Sequence, residues 1–357
     1  MEKKQIIVLV LILGILSLGI LAKYWVRSGD TTVASLKSAE GTRLFHFDST
    51  KAKKILIGRG VAMPPVELVK EKDLWRVKSL WDVPADVTKV NHLLEKLSTA
   101  KGELRGNEKK LFEDFKIKNE DAFSMVISGD GGKVLLDLKV GTKQAGMQGC
   151  FLRQTASDEV YFSDVNMADL LGIYTPLEEG KPSSDYWADL TLFKFQPENV
   201  QKITVFQLKN GAKTGAAGIE LVTDKSDPTK NSWKFLRQDL SSSIDPDKVI
   251  RFIATLNSIK AKNVVDPDGK GYGLEKPVLE IAVTAGGKET AISLGVNDEK
   301  AGGYYAKISD ASSIFLVNGY YFGDLNIDDT HFFKESQPPA DSQKTKMQEL
   351  NAAGQAS

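Results

Sequence analysis

Two stretches of this chain carry the same helix pattern, and that coincidence limits the fold more than any other feature. The first starts at Asp86 and runs through Lys89, Val90, Leu93, Leu94, Leu97 and Lys101. The second starts at Asp245 and runs through Lys248, Val249, Phe252, Ile253, Leu256 and Lys260, with the same spacing at all seven positions. The apolar members recur at i, i+3, i+4 and i+7, which places one buried stripe on a helix. Each Asp suits an N-cap, because a carboxylate accepts the free N–H groups of the first turn. Pro246 suits the first helical position, where its missing N–H costs nothing.

The features around the two helices follow one order. Leu44-Phe45-His46-Phe47 opens the first stretch and Leu192-Phe193-Lys194-Phe195 the second. A strand comes next, Lys54-Ile55-Leu56-Ile57 in one and Lys202-Ile203-Thr204-Val205 in the other, and then a short strand with tryptophan, Trp75-Arg76-Val77 and Trp233-Lys234-Phe235. Beyond the helices, Phe115 to Glu120 corresponds to Tyr272 to Pro277. Alternating strands follow at Ser124 to Ile127 and Val134 to Val140, and at Leu279 to Val283 and Thr290 to Leu294. Gly131-Gly132 and Gly286-Gly287 divide them, as hairpin turns with positive φ require. Val160-Tyr161-Phe162 and Ile314-Phe315-Leu316 close the sheets, and short amphipathic pieces end at Leu170 and Leu325.

The expected fold class is α+β: an N-terminal transmembrane helix followed by two tandem repeated units of mostly antiparallel sheet with one main helix each. The units are placed at residues 44–173 and 191–334, with an interdomain segment at 174–190 that contains Pro176, Pro182, Ser183 and Ser184. Residues 335–357, with Pro338-Pro339 and few apolar side chains, are expected to be a disordered tail.

Residues 6–22 read IIVLVLILGILSLGILA, without a charge. As a helix such a run spans about 26 Å, near the lower limit for a bilayer core. Tyr24 and Trp25 follow at headgroup depth. Residues 1–27 are therefore read as an uncleaved anchor with its flanks, and 28–43 as a linker. A cleaved signal peptide fits less well, since Ile20-Leu21-Ala22 offers one small residue at the cleavage site. The short tail with Lys3 and Lys4 favours the N-terminus inside a bacterial cytoplasmic membrane, with the bulk of the chain extracytoplasmic.

Lys plus Arg equal Asp plus Glu, so the net charge is zero. That argues against nucleic acid as a partner, which needs a basic excess. Lys51, Lys53 and Lys54, and Glu108-Lys109-Lys110, read as solvated faces. Cys150 is the single cysteine, so no intramolecular disulfide forms, and it reads as a small buried residue. His46, His92 and His331 have no partner at metal-ligand spacing. The sequence contains no phosphate-binding G-x-x-x-x-G-K-[ST] and no G-x-S-x-G. Asp266-Pro-Asp268-Gly269-Lys270-Gly271 resembles a calcium loop, but Lys270 and Pro277 fall where oxygen ligands belong, so a turn is expected. Tyr304-Tyr305 and Tyr320-Tyr321-Phe322 are read as core or as a partner face, and Asp328-Asp329 as a carboxylate pair of open geometry. No catalytic residue, metal ligand or cofactor is assigned, and the binding residues stay open.

The anchor, Trp75-Arg76-Val77, the Asp86-x-x-Lys89-Val90 helix start, Tyr272-Gly-Leu-Glu-Lys-Pro277, and Gly295 followed by Tyr305 together resemble a bacterial domain-of-unknown-function family, the one numbered 4340. The first unit departs from the pattern, because Phe115-Lys116-Ile117 lacks the glycine and proline of the second. The resemblance implies no catalytic residues. It implies work beside gliding-type ABC transporters, with permease or auxiliary membrane subunits as partners. The leading expectation is a non-enzymatic binding or scaffold component of such a complex. The alternatives are a periplasmic small-molecule or glycan binder with a cleft between its units, and an envelope hydrolase.

Overall fold

The computed structural model describes residues 41–60, 66–120, 122–141, 149–174, 180–223, 231–237 and 243–334. The expected anchor, most of the linker and the expected disordered tail lie outside the described residues. None of the described helices is long and apolar enough to cross a membrane.

The first unit runs β1 (Thr42–Arg43), β2 (Lys54–Arg59), β3 (Val66–Glu71), β4 (Leu74–Val77), β5 (Val83–Pro84), helix α1 (Val87–Thr99), β6 (Lys101–Gly106), a single turn α2 (Leu111–Asp114), β7 (Phe123–Ser128), β8 (Val134–Val140), β9 (Cys150–Gln154), β10 (Val160–Ser163), α3 (Met167–Leu170) and α4 (Ser184–Trp187). The second runs β11 (Val200–Lys209), β12 (Ala212–Thr223), β13 (Asn231–Phe235), α5 (Pro246–Ser258), β14 (Ala261–Val265), β15 (Leu279–Ala285), β16 (Lys288–Asp298), β17 (Gly303–Ile308), β18 (Ile314–Asn318) and α6 (Tyr321–Leu325).

Each unit is one sheet, and the pairings are antiparallel. The first sheet has the order β1-β6-β10-β9-β8-β7-β2-β3-β4-β5 and the second β13-β12-β11-β15-β16-β17-β18-β14. Read from the tryptophan strand, β4-β3-β2-β7-β8-β9-β10-β6 matches the second sheet strand for strand. The repeat is therefore one of topology as well as sequence pattern.

Local chemistry builds both units alike. The Asp86 carboxylate accepts the N–H of Thr88 at 3.1 Å and of Lys89 at 3.3 Å, and Asp245 accepts that of Asp247 at 2.9 Å. The stripes Val90-Leu93-Leu94-Leu97 and Val249-Phe252-Ile253-Leu256 are buried. Facing strands alternate buried and half-buried residues, as Phe123, Met125 and Ile127 show on β7 and Leu279, Ile281 and Val283 on β15. The opening Leu44 donates its N–H to Ala100 O at 2.9 Å, and Leu192 donates to Ile259 O at 3.4 Å. Both acceptors are the C-cap residue of the main helix.

Each unit closes on its own helix. Trp187, 1% exposed, ends a strap whose carbonyl accepts the Asp86 N–H at 2.7 Å, while Lys89 Nζ donates to Tyr186 O at 2.7 Å. In the second unit the buried Phe332 accepts the Asp245 N–H at 2.9 Å, and Lys248 Nζ donates to Phe333 O at 2.9 Å. Bridges Ala85–Ala188 and Ile244–Phe333 repeat this match. Residues 180–190, within the expected interdomain segment, thus carry part of the first unit's packing. No free linker follows: Asp189 donates to Pro84 O of unit one at 2.9 Å, and the next residue, Leu190, accepts from Ala261 of unit two at 2.8 Å. Buried residues of both units form one continuous cluster.

Unit one also covers the other face of its sheet. Leu111, Phe112, Phe115 and Ile117 pack with Phe151, Val160 and Phe162 in a second small cluster. Beneath it the Arg153 guanidinium lies over the Phe112 ring at 4.3 Å and donates to Ile117 O, Asn119 Oδ1, Thr155 O and Ser157 O. Those acceptors keep a buried cation partnered, without which it would be costly.

Candidate functional site

A groove opens beside the main helix of each unit, and the two overlap in position. In unit one it lies between α1 and the α3 segment, about 380 Å³ in volume, with His92, Lys96 and Lys101 across from Asp164, Asn166 and Asp169. In unit two it lies beside α5 and α6, about 430 Å³, with Lys248, Arg251 and Thr255 near Asp324, Thr330 and His331. His92 and Arg251 are each the sixth residue after their N-cap, and Asp169 and Asp324 directly precede Leu170 and Leu325. The two grooves share the positions His92/Arg251, Lys96/Thr255 and Asp169/Asp324, while the first extends toward the end of its helix and the second toward the start. Unit one's groove mixes both signs. Unit two's groove is mainly basic, and burial together with Lys248 and Arg251 holds the His331 imidazole below its ordinary pKa.

A third cavity, about 270 Å³, opens where the units meet. Leu192 and Phe195 of the opening segment, Val283 and Ala285 of β15, Ile308 of β17 and Phe315 of β18 give it an apolar wall, and Pro84 and Asp189 of unit one close one side. Two ion pairs stand among its lining residues. Lys194 Nζ lies 2.7 Å from Asp189 Oδ2, and Lys288 Nζ lies 2.5 Å from Asp310 Oδ2. Burial alone would raise the Asp189 carboxyl, but Lys194 and the Thr191 N–H outweigh it and hold it below its ordinary value. Lys288, followed by Ser309, lowers Asp310.

Most of the remaining candidates are held in packing, caps or turns. Tyr304 stacks on Phe322 with centroids 4.5 Å apart. Tyr305 rests on Tyr272 and donates to Asp298 Oδ2 at 2.7 Å; that hydrogen bond pushes its phenol up to about 12. Tyr320 stays exposed beside Tyr321. Asp328 caps the last helical turn through Thr330, whereas Asp329 is buried and accepts the Gly218 N–H at 2.9 Å. Asp266 makes a turn, its carbonyl accepting from Gly269 N–H and the Tyr272 hydroxyl. Lys54 pairs with Glu67 and Lys110 with Glu108, so each basic run is partly neutralised locally. His46 is exposed. Among the described residues, no group of three or more His, Cys, Asp and Glu converges to hold a metal ion.

Cys150 is buried, donates weakly to Val165 O, and burial pushes its thiol up to about 12. Thiolate is the reactive form, so iodoacetamide at pH 8 is expected to modify the native chain at least about tenfold more slowly than the denatured chain. Equal rates by mass spectrometry would contradict this burial.

One family model matches the chain twice, over residues 75–244 and 233–346. The chain belongs to the family described as Domain of unknown function (DUF4340). The two DUF4340 matches begin at Trp75 on β4 and Trp233 on β13, the equivalent strands of the two sheets, so the family model enters each repeat at one point. No curated protein and no solved structure matches. Sequence reasoning on this DUF4340 chain found Leu192 and Phe195 through the opening pattern. It placed Val283 and Phe315 on strands without tying them to a site and did not single out Pro84, Asp189, Ala285 or Ile308, which come together only in the folded chain.

Proposed function

We propose that this DUF4340 chain is a single-pass protein of the bacterial cytoplasmic membrane, with both units outside the cytoplasm, serving as a non-enzymatic binding or scaffold component of an ABC-type transport complex. The observation that carries this reading is the linker-free repeat. Two units joined at Asp189-Leu190 present helix-side grooves that overlap in position and differ in charge, as suits a protein that holds two partner elements at a set spacing. The apolar run 6–22 supports a tether, which raises the effective concentration of the units near membrane partners. The resemblance of this layout to proteins encoded beside gliding-type ABC transporters supplies the partner class.

The test is to solubilise native membranes in mild detergent and recover the full-length chain through a C-terminal tag. Permease or auxiliary membrane subunits are expected to co-purify. Charge reversal at Arg251 and Lys96 is expected to weaken that recovery while leaving the anchor in the membrane. A partnerless chain, recovered intact, would overturn the scaffold reading.

A further inference from the structure

The cavity between the units has an apolar wall and charged lining residues, and this is the division of labour of an amphiphile site. We infer that it binds a single-chain carboxylate of medium length, with the tail against Phe195, Val283 and Phe315 and the head on Lys288. The inference is independent of the transport reading, because it concerns a face built by the opening segment and the sheet ends and not the helix-side grooves.

Size limits the tail. The cavity, about 270 Å³, is nearly twice the ~150 Å³ of an apolar cavity that takes benzene. At the ~30 Å³ that a water molecule occupies in the liquid, it holds about nine groups of that size, so an eight- to ten-carbon chain fits and a two-chain lipid does not. Charge selects the head. The Lys194–Asp189 pair is partly sheltered, with Asp189 half-buried and also accepting the Thr191 N–H at 3.0 Å, so it resists opening. The Lys288 side chain is 72% exposed, and its partner Asp310 is held only by surface contacts with Lys288 and Ser309. Such exposed pairs contribute little, so an incoming carboxylate can take over the ammonium at small cost. Ala285 and Ala311 line the same space and leave it unfilled.

The test uses the full-length chain in lipid nanodiscs and a decanoate with a diazirine on its last carbon. Irradiation is expected to label peptides spanning 189–195, 283–290 or 308–315. Unlabelled carboxylates are expected to compete more strongly from four carbons to about ten and then level off, as the space fills. Ala311→Phe is expected to lower labelling about tenfold or more by occupying that space, and Lys288→Gln about two- to fivefold, the worth of an exposed ion pair. Decanol that competes as well as decanoate would remove the role of Lys288. Labelling confined to residues 6–22, or insensitive to chain length, would overturn the site. If Ala311→Phe fails to fold, Lys288→Gln and the chain-length series still decide.

Discussion

Trp187→Ala is expected to lower the stability of the chain by about 3–5 kcal/mol, the range for emptying the space of a buried large aromatic. Trp187 is 1% exposed and ends a strap that would otherwise be a polar connection between two units. Its ring anchors that strap in the core, and its carbonyl accepts the N–H of Asp86, the residue that caps α1. Losing the anchor frees the strap, and with it the Lys89–Tyr186 contact over the helix start. Phe332→Ala is expected to do the same to α5, since Phe332 holds the equivalent place. Tyr174→Ala, at a side chain 86% exposed, is the control and is expected to change stability by no more than about 0.5 kcal/mol. The measurement is the denaturant midpoint of the full-length chain in one detergent. A Trp187→Ala midpoint equal to that of Tyr174→Ala would show that the strap is not part of the core. Because the two cores are continuous, both core variants are expected to move one shared transition, and separate transitions would mean that the units unfold independently.

The sequence pattern was readable where side chains alternate or recur with a strong period, and weak where pairing partners decide. The two main helices, their caps and the tryptophan strands are found where the pattern places them. The strand pairs β3/β12, β6/β14 and β9/β17 were not legible. β12 reads Ala-Lys-Thr-Gly-Ala-Ala-Gly before its first large apolar residue, and β6 reads Lys-Gly-Glu-Leu-Arg-Gly. Such sequences have little strand preference of their own; they become strands because β11 and β10 offer unpaired backbone beside them. The straps were hidden for another reason. Pro182, Ser183 and Ser184 look like a connection, and only the depth of Trp187 shows otherwise.

The cavities were less legible still, for a geometric reason. Pro84, Leu192, Ala285 and Ala311 lie far apart in the chain and meet only when the strap of unit one runs into the opening segment of unit two. The grooves left a partial trace. His92 and Arg251 share one helix position, but alignment of the helices says nothing of the Asp169 and Asp324 side chains facing them. Two of the three histidines, His92 and His331, end in grooves that their sequence neighbours do not announce.

Gly295→Ala and Gly141→Ala are expected to destabilise the chain by about 1–3 kcal/mol or more, the range for inserting a methyl group where the surroundings cannot yield. A Cβ on Gly295 would lie 2.0 Å from Tyr272 O, and one on Gly141 would lie 2.1 Å from Phe115 O. Both obstacles are backbone, so no rotamer change relieves them. Neither glycine has positive φ, which makes the constraint one of space. What the space serves is the same in both units. The loop that leads into β7 or β15 lies close against the sheet, and its aromatic ring meets a ring from a strand of that sheet, Phe115 with Phe151 at 3.8 Å and Tyr272 with Tyr305 at 4.4 Å. In unit two the Val296 N–H also bonds Tyr272 O at 2.9 Å, so a methyl at Gly295 would cost that bond as well. Gly323→Ala is the contrast, since no atom lies within 4 Å of its would-be Cβ and helix α6 gains from alanine. Denaturant midpoints of the three variants separate the cases: a Gly295→Ala protein as stable as Gly323→Ala would mean that the loop can lift from the sheet. Comparable losses at Gly141 and Gly295 would mean that this loop is one constraint kept in both repeats, although Phe115-Lys116-Ile117 and Tyr272-Gly273-Leu274 share no residue.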